Sequence, residues 1–149
     1  MIPRCLWGMI DACTVSGKYR GVLMTKQQIN IENNKSAHIL SPGIASNGLI
    51  FVSGQVHCNA DLELVGDTTE EKIAQIMKNI ADILQAGGAT LDDIVKVVIY
   101  VTDMAVMPDL NKVYSTYFKD PLPVREAVCV QALPLGASIE ISVIAAKEQ

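Results

Sequence analysis

The stretch from Thr68 to Gly88 constrains the fold most. Thr68 and Glu71 have the spacing of a capping box, in which each side chain satisfies a free backbone N–H at a helix start. Ile73, Ile76, Met77, Ile80, Ile83 and Leu84 then recur at three- and four-residue steps and form one apolar stripe. Gly87-Gly88 ends the run, because glycine accepts the left-handed conformation of a helix cap. Such a helix must lay its stripe on an equally apolar surface, and the flanking sequence supplies strands for one.

Lys26 to Ile31 reads as a short strand, followed by the polar turn ENNKS and a broken extended piece over Ala37 to Ala45. Asn47-Gly48 is a hairpin turn signal leading into a strand over Leu49 to Val56. After the helix, Ile94 to Val101 is a β-branched run of the kind found in buried strands. Asp103 can cap a second helical region, whose stripe is Met107, Leu110, Val113, Tyr114, Tyr117 and Phe118, and Pro121 and Pro123 stop it. Two strands, Val124 to Gln131 and Ser138 to Ala146, close the chain around Pro134. The order β-β-α-β-α-β-β predicts an α+β domain, a single mixed sheet with two helices on one face.

Strand parity sharpens this expectation, because alternate side chains face opposite sides. Ile139, Ile141, Val143 and Ala145 share one face of the last strand, the one expected to meet the helices. The other face is expected to carry Arg125, Glu140 and Ser53, together with Leu49, Phe51, Cys129 and Ile144. That face is too apolar to lie bare in water, and a second copy of the chain is the expected cover. Charges inside apolar strands are costly unless paired or used, so Arg125 and Glu140 stand out.

Composition narrows the function classes. The chain has 149 residues, half of them hydrophobic and 19% charged, which suits one globular domain. No apolar run reaches the roughly 18 residues of a membrane span. Residues 1–23 lack a clean period and form an N-terminal extension, with the domain over 24–149. The extension reads either as a non-core tail or, from Arg4, Lys18 and Arg20 against Asp11, as a mitochondrial targeting segment. The rest holds nine Lys and Arg against fifteen Asp and Glu, which argues against broad nucleic-acid binding. Cys5, Cys13, Cys58 and Cys129 show neither zinc spacing nor a disulfide framework, and His57 beside Cys58 is a weak metal signal. No metal or cofactor is expected, and the compartment is cytoplasmic or, if the extension is a targeting segment, mitochondrial.

The segments GLIFVSGQV, DIVKVVIYVTDM, LNKVYSTYF and PVREAVCVQALPLGASIEISVIA together resemble the RidA (YjgF) family, which older nomenclature calls L-PSP endoribonuclease. The resemblance covers roughly residues 26–147. It implies a chorismate-mutase-like fold and a homotrimer with ligand pockets between subunits. It also implies hydrolysis of reactive 2-imino acids, or their enamine tautomers, to 2-oxo acids and ammonia. By the same resemblance the carboxylate-binding arginine is Arg125, the water-positioning glutamate Glu140 and the pocket serine Ser53, with Asn111 and Tyr114 beside them. Two positions depart from the pattern: Leu40 stands where bacterial relatives often carry a tyrosine, and Ala127 where many carry a cysteine.

The residues themselves leave alternatives open. Arg125 and Glu140 read either as an ion pair fixing subunit register or as a guanidinium fork for a substrate carboxylate with a base for water. In a hairpin around Pro134, Glu140 would lie nearer Cys129 than Arg125, so the pair would meet only across an interface. Ser53 is a small strand residue or a hydroxyl for substrate or water, and Tyr114 is core or ligand. Cys129 lies in an apolar run with no His near it, which disfavours a nucleophile. Beside imine hydrolysis stand a non-catalytic small-carboxylate binder or chaperone-like trimer, and an endoribonuclease on single-stranded RNA. Because the core pattern begins near Lys26, a protein starting at Met24 is expected to keep its thermal midpoint within a few degrees, measured by circular dichroism.

Overall fold

Both ends of the first helix are set by the side chains that its sequence supplies. Glu71 N–H donates to Thr68 Oγ1 (3.2 Å) and Thr68 N–H to Glu71 Oε2 (3.0 Å), closing the capping box. At the far end Gly88 takes a φ of +78°, and the Lys147 ammonium caps the helix by donating to the Gly87 carbonyl (3.0 Å). The computed structural model describes residues 26–32, 35–36 and 38–147, so the expected extension over residues 1–23 lies outside it. In chain order the elements are β1 (Gln27–Ile29), β2 (Gly43–Ser46), β3 (Leu49–Val56), α1 (Thr69–Ala86), β4 (Ile94–Val101), α2 (Met107–Tyr114), β5 (Val124–Cys129) and β6 (Ile139–Ala146).

The fold is the expected α+β plan with one further strand, β2, formed by the end of the extended piece before Asn47-Gly48. These two residues have φ of 52° and 75°, as a tight hairpin turn requires, and set Ser46 opposite Leu49. The six strands form one mixed sheet in the order β1-β2-β3-β6-β4-β5. β6 runs antiparallel to β3 and β4, and β5 runs parallel to β4 after the α2 crossover.

The expected hairpin between the last two strands does not form. β4 lies between β5 and β6, and the chain travels from the sheet edge to its centre through the Pro134–Gly136 turn. The burial pattern gives the reason. Ile139, Ile141, Val143 and Ala145 are all buried, and a central strand with neighbours on both sides buries such a set better than an edge strand does. They meet Val97, Ile99 and Val101 of β4, Ile50 and Val52 of β3, and the α1 stripe, every member of which is buried. From α2 and the turn after it, Leu110, Tyr114 and Phe118 complete the core.

Register also corrects the face assigned to Arg125. Arg125 is level with Val97 and Val143, Ala127 with Ile99 and Ile141, and Cys129 with Val101 and Ile139. These are the helix-facing rows, so Arg125, Ala127 and Cys129 lie on the opposite face from Glu140. They stay exposed because β5 is an edge strand with all six residues open. The helix-free face carries Val124 and Val128 from β5 and Leu49 and Phe51 from β3, all exposed. Ile80 is fully buried at the centre of the α1 stripe, so Ile80→Ala is expected to cost about 2–5 kcal/mol, measured by urea unfolding.

Candidate functional site

The sequence-selected residues gather into two clusters, one on each face of the sheet. The first is built on β5 and α2. The Arg125 guanidinium donates through Nη1 to Asn111 Oδ1 at 2.8 Å, and its central carbon lies 5.0 Å from the centroid of the Tyr114 ring. Tyr114 and Phe118 in turn lie with ring centroids 4.7 Å apart. Asn111 and Tyr114 are one helical turn apart, and together they hold an otherwise exposed guanidinium by a hydrogen bond and a cation–π contact. One of five N–H donors is used, so a bidentate grip on a carboxylate remains available. The Tyr114 ring is buried and its hydroxyl has no hydrogen-bond partner among the described residues. Burial pushes its proton affinity up, and the Arg125 charge partly offsets this. Ala127 follows Arg125 on the same face and presents only a methyl group.

The second cluster surrounds Glu140. A register shift between Val52 and Gln55 marks a bulge in β3 against β6, and Gly54 lies within it. A Cβ on Gly54 would overlap a Glu140 carboxylate oxygen and come within 2.8 Å of the carboxyl carbon, so the carboxylate is seated against bare backbone. Burial pushes the Glu140 carboxyl above the usual carboxylate range. Among the described residues no Lys, Arg or His forms an ion pair with Glu140. Arg125 bonds Asn111 instead, so the alternative of an Arg125–Glu140 ion pair does not hold within one chain.

Glu140 opens into a cavity of about 810 Å³, whose lining includes Leu40, Ser53, Gly54, Leu62 and Leu135. Ser53 donates its hydroxyl proton to the Ser41 carbonyl at 2.7 Å, and its N–H donates to the Pro42 carbonyl at 2.9 Å. It therefore fixes the Ser41-Pro42 segment, and its oxygen can still accept a hydrogen bond from water or an amine but not donate one to a carboxylate. Behind the cavity, Asn79 of α1 donates to the Cys58 carbonyl at 3.0 Å. Buried His57 lies with Nδ1 2.8 Å from the Val65 carbonyl, and Nε2 accepts from the Ser138 N–H at 3.5 Å. Both of its ring nitrogens are thus engaged with backbone, which is a structural role. Among the described residues no three His, Cys, Asp or Glu side chains gather as a metal site.

Sequence reasoning missed Gly54, although a glycine inside a strand signals a bulge or a close approach. It also missed the rim leucines Leu62 and Leu135, for which composition and spacing give no signal.

A family profile described as Endoribonuclease L-PSP matches residues 31–147. The chain belongs to this family. It is the RidA family that the sequence motifs resemble, and its members share this fold. A RutC family protein of Aquifex aeolicus is 39% identical over 109 residues, covering 72% of this chain and 87% of that one. Reactive Intermediate Deaminase A, chloroplastic, of Arabidopsis thaliana is 38% identical over 106 residues, 70% of this chain and 57% of that protein. The crystal structure of yeast Mmf1 matches with a TM-score of 0.78 at 31% identity, covering 83% of this chain and all of that one. Among the described residues no helix is long and apolar enough to cross a membrane.

The raised proton affinity of Glu140 has a thermodynamic consequence. The folded chain holds this proton more tightly than the unfolded chain does. Stability therefore falls as pH rises from the unfolded carboxyl value through the raised folded one, and the penalty persists above it. Glu140→Gln is expected to unfold at higher denaturant concentration than the parent at neutral pH. The two should converge below about pH 3, where both states are protonated, as read from urea midpoints at each pH.

Proposed function

We propose that this protein hydrolyses reactive 2-imino acids, 2-iminobutanoate and 2-iminopropanoate among them, to 2-oxo acids and ammonia. The observation that carries the reading is the half-buried Glu140 carboxylate seated against Gly54, with raised proton affinity and no cation of its own chain paired to it. A carboxylate in that state is a better base than one in water and is free to hold a nucleophilic water. Arg125, steadied by Asn111 and Tyr114, supplies the complementary grip on a substrate carboxylate. The relative named a reactive intermediate deaminase supports the same chemistry.

The protonated imine is already electrophilic at C2. As the water oxygen bonds to C2, Glu140 takes one of its protons and the C=N double bond becomes a single bond. The same proton is then returned to the amino nitrogen. The C–N bond breaks, ammonia departs, and the remaining hydroxyl gives its proton to Glu140, now a carboxylate again, as the C=O bond forms; that proton then passes to the ammonia. Ser53 Oγ can accept from the water or the iminium, and the fixed carboxylate of the substrate turns an encounter into an oriented reaction.

Arg125 and Glu140 lie on opposite faces of one chain, with β4 between their strands. We therefore assign the complete site to a homotrimer, in which Arg125 of one subunit faces Glu140 of the next across the pocket, with the substrate between them. The exposed apolar residues of the helix-free face, Phe51 and Val124 among them, supply a reason to assemble. The compartment is assigned to the cytoplasm or, by likeness to the yeast protein named MMF1, mitochondrial, to the mitochondrion.

Imine released by a threonine dehydratase, with its decay followed alongside trimer mass, tests the assignment. Arg125→Ala is expected to weaken substrate use on the order of a hundredfold or more with assembly intact. Glu140→Gln is expected to lower turnover more than KM. Trimers mixed from the two variants are expected to regain measurable activity, because some interfaces then hold both native residues. A fully active Arg125→Ala trimer would remove the arginine from the mechanism. A native trimer that binds 2-oxo acids without hydrolysing imines would make the protein a carboxylate binder, and cleavage of single-stranded RNA instead would make it a nuclease.

A further inference from the structure

Two cavity residues hold backbone conformations that nothing in the fold requires of leucine. Among the described residues three non-glycine positions have positive φ, namely Asn47, Leu62 at 65° and Leu135 at 59°. Asparagine tolerates this region, whereas the branched side chain of leucine crowds the backbone and offers no polar group to offset the strain. The local turns account for the conformation. Asn59 Oδ1 accepts from the N–H groups of Asp61 and Glu63 at 2.9 and 3.0 Å, which bends the chain through Leu62. Gly136 N–H donates to the Leu133 carbonyl at 3.2 Å, closing the turn at Leu135. Glycine or asparagine would fill either position with less strain.

Within its own chain neither leucine gains burial in return. Leu62 is 39% exposed and Leu135 is 54% exposed, and Leu40, where bacterial relatives often carry a tyrosine, is 47% exposed. All three line the cavity that holds Glu140. Strain without packing inside the chain to offset it points to a contact beyond the chain, and the cavity shared with Glu140 makes a ligand the fitting one. The cavity lysines are already engaged, Lys35 with Asp61 at 2.6 Å and Lys78 with Asp82 at 2.7 Å. Glu140 adds a negative charge, so an acidic substrate side chain would find no unpaired lysine in the lining.

We propose that Leu40, Leu62 and Leu135 form an apolar collar that selects 2-imino acids with large, branched aliphatic side chains over small or acidic ones. This inference rests on the imine-hydrolysis reading for its substrate class. The reacting carbon would sit between Arg125 and Glu140, with the substrate side chain directed into the collar.

The test compares kcat/KM for imines released by amino-acid oxidases from leucine, alanine and aspartate. The leucine-derived imine is expected to exceed the alanine-derived one by about tenfold or more, since each added methylene in an apolar pocket is worth at least that order. The aspartate-derived imine should be the slowest. In the double variant Leu62→Asn/Leu135→Asn the leucine-to-alanine ratio should collapse, while thermal midpoint and oligomer mass stay equal or rise as backbone strain is relieved. Equal use of the three imines by the native protein overturns the proposal. So does a double variant that unfolds or dissociates, which would make the leucines packing residues. Calorimetric binding of 4-methyl-2-oxopentanoate and pyruvate separates this proposal from the reaction assignment. Tighter binding of the larger acid without imine hydrolysis keeps the collar and removes the reaction, and equal affinities remove the collar.

Discussion

One sheet with two apolar faces, and helices for only one of them, is the constraint on which the structure depends. The α1 stripe and the end of the α2 region satisfy the face made by Ile50, Val97, Ile99, Ile139 and Ile141. The other face keeps Leu49, Phe51, Val124 and Val128 in solvent. An apolar surface of this kind favours association, and on the proposed reading association is also what brings an arginine to a glutamate that its own chain keeps on the far side of the sheet. Burial and chemistry would then share one cause: the contact that removes the open face from water would complete the site.

The energetics of Glu140 run the other way. A central strand places the carboxylate beside Gly54, partly out of water and without a cation from its own chain, and that chain is less stable for carrying it ionised. The bulge at Gly54 makes that seat possible, since any side chain there would expel the carboxyl group. This is the usual relation between a reactive group and its scaffold, in which stability is given up locally where a proton must be moved. Arg125 shows the milder form of the same arrangement, because its support from Asn111 and Tyr114 comes from groups that carry no opposing charge.

Much of this was readable in the chain because its causes are local. The capping box, the stripe of α1, the Asn47-Gly48 turn and the bounds of β4 each follow from residues within a turn or two of one another, and each stands as expected. The errors share a different origin. The pairing of β5 with β4 depends on a crossover through α2, and no residue near Pro134 records it. The face assigned to Arg125 followed from the alternation of β5 itself, yet the register against Val97 decides which side meets the helices. Arg125, Asn111 and Tyr114 were picked out one by one, and the structure brings them together. Ser53 and Glu140 likewise meet in one cavity, where Ser53 turns its proton to Ser41 instead of outward. Strain at Leu62 and Leu135 was illegible, since it arises from hydrogen bonds of their neighbours.

The central place of β6 has a consequence for how the chain comes into being. Of the described strands β6 is the last in chain order, yet it is the one that joins β3 to β4, so neither half of the sheet has its inner neighbour until β6 has been made. Until then the β1-β2-β3 meander and the β4-β5 unit each offer an open, apolar edge to whatever lies nearby, and α1 has only part of its seat. Commitment to the native topology is therefore deferred until β6 emerges. A nascent chain of this design depends on being shielded, or on being finished quickly, far more than one whose central strand is made first.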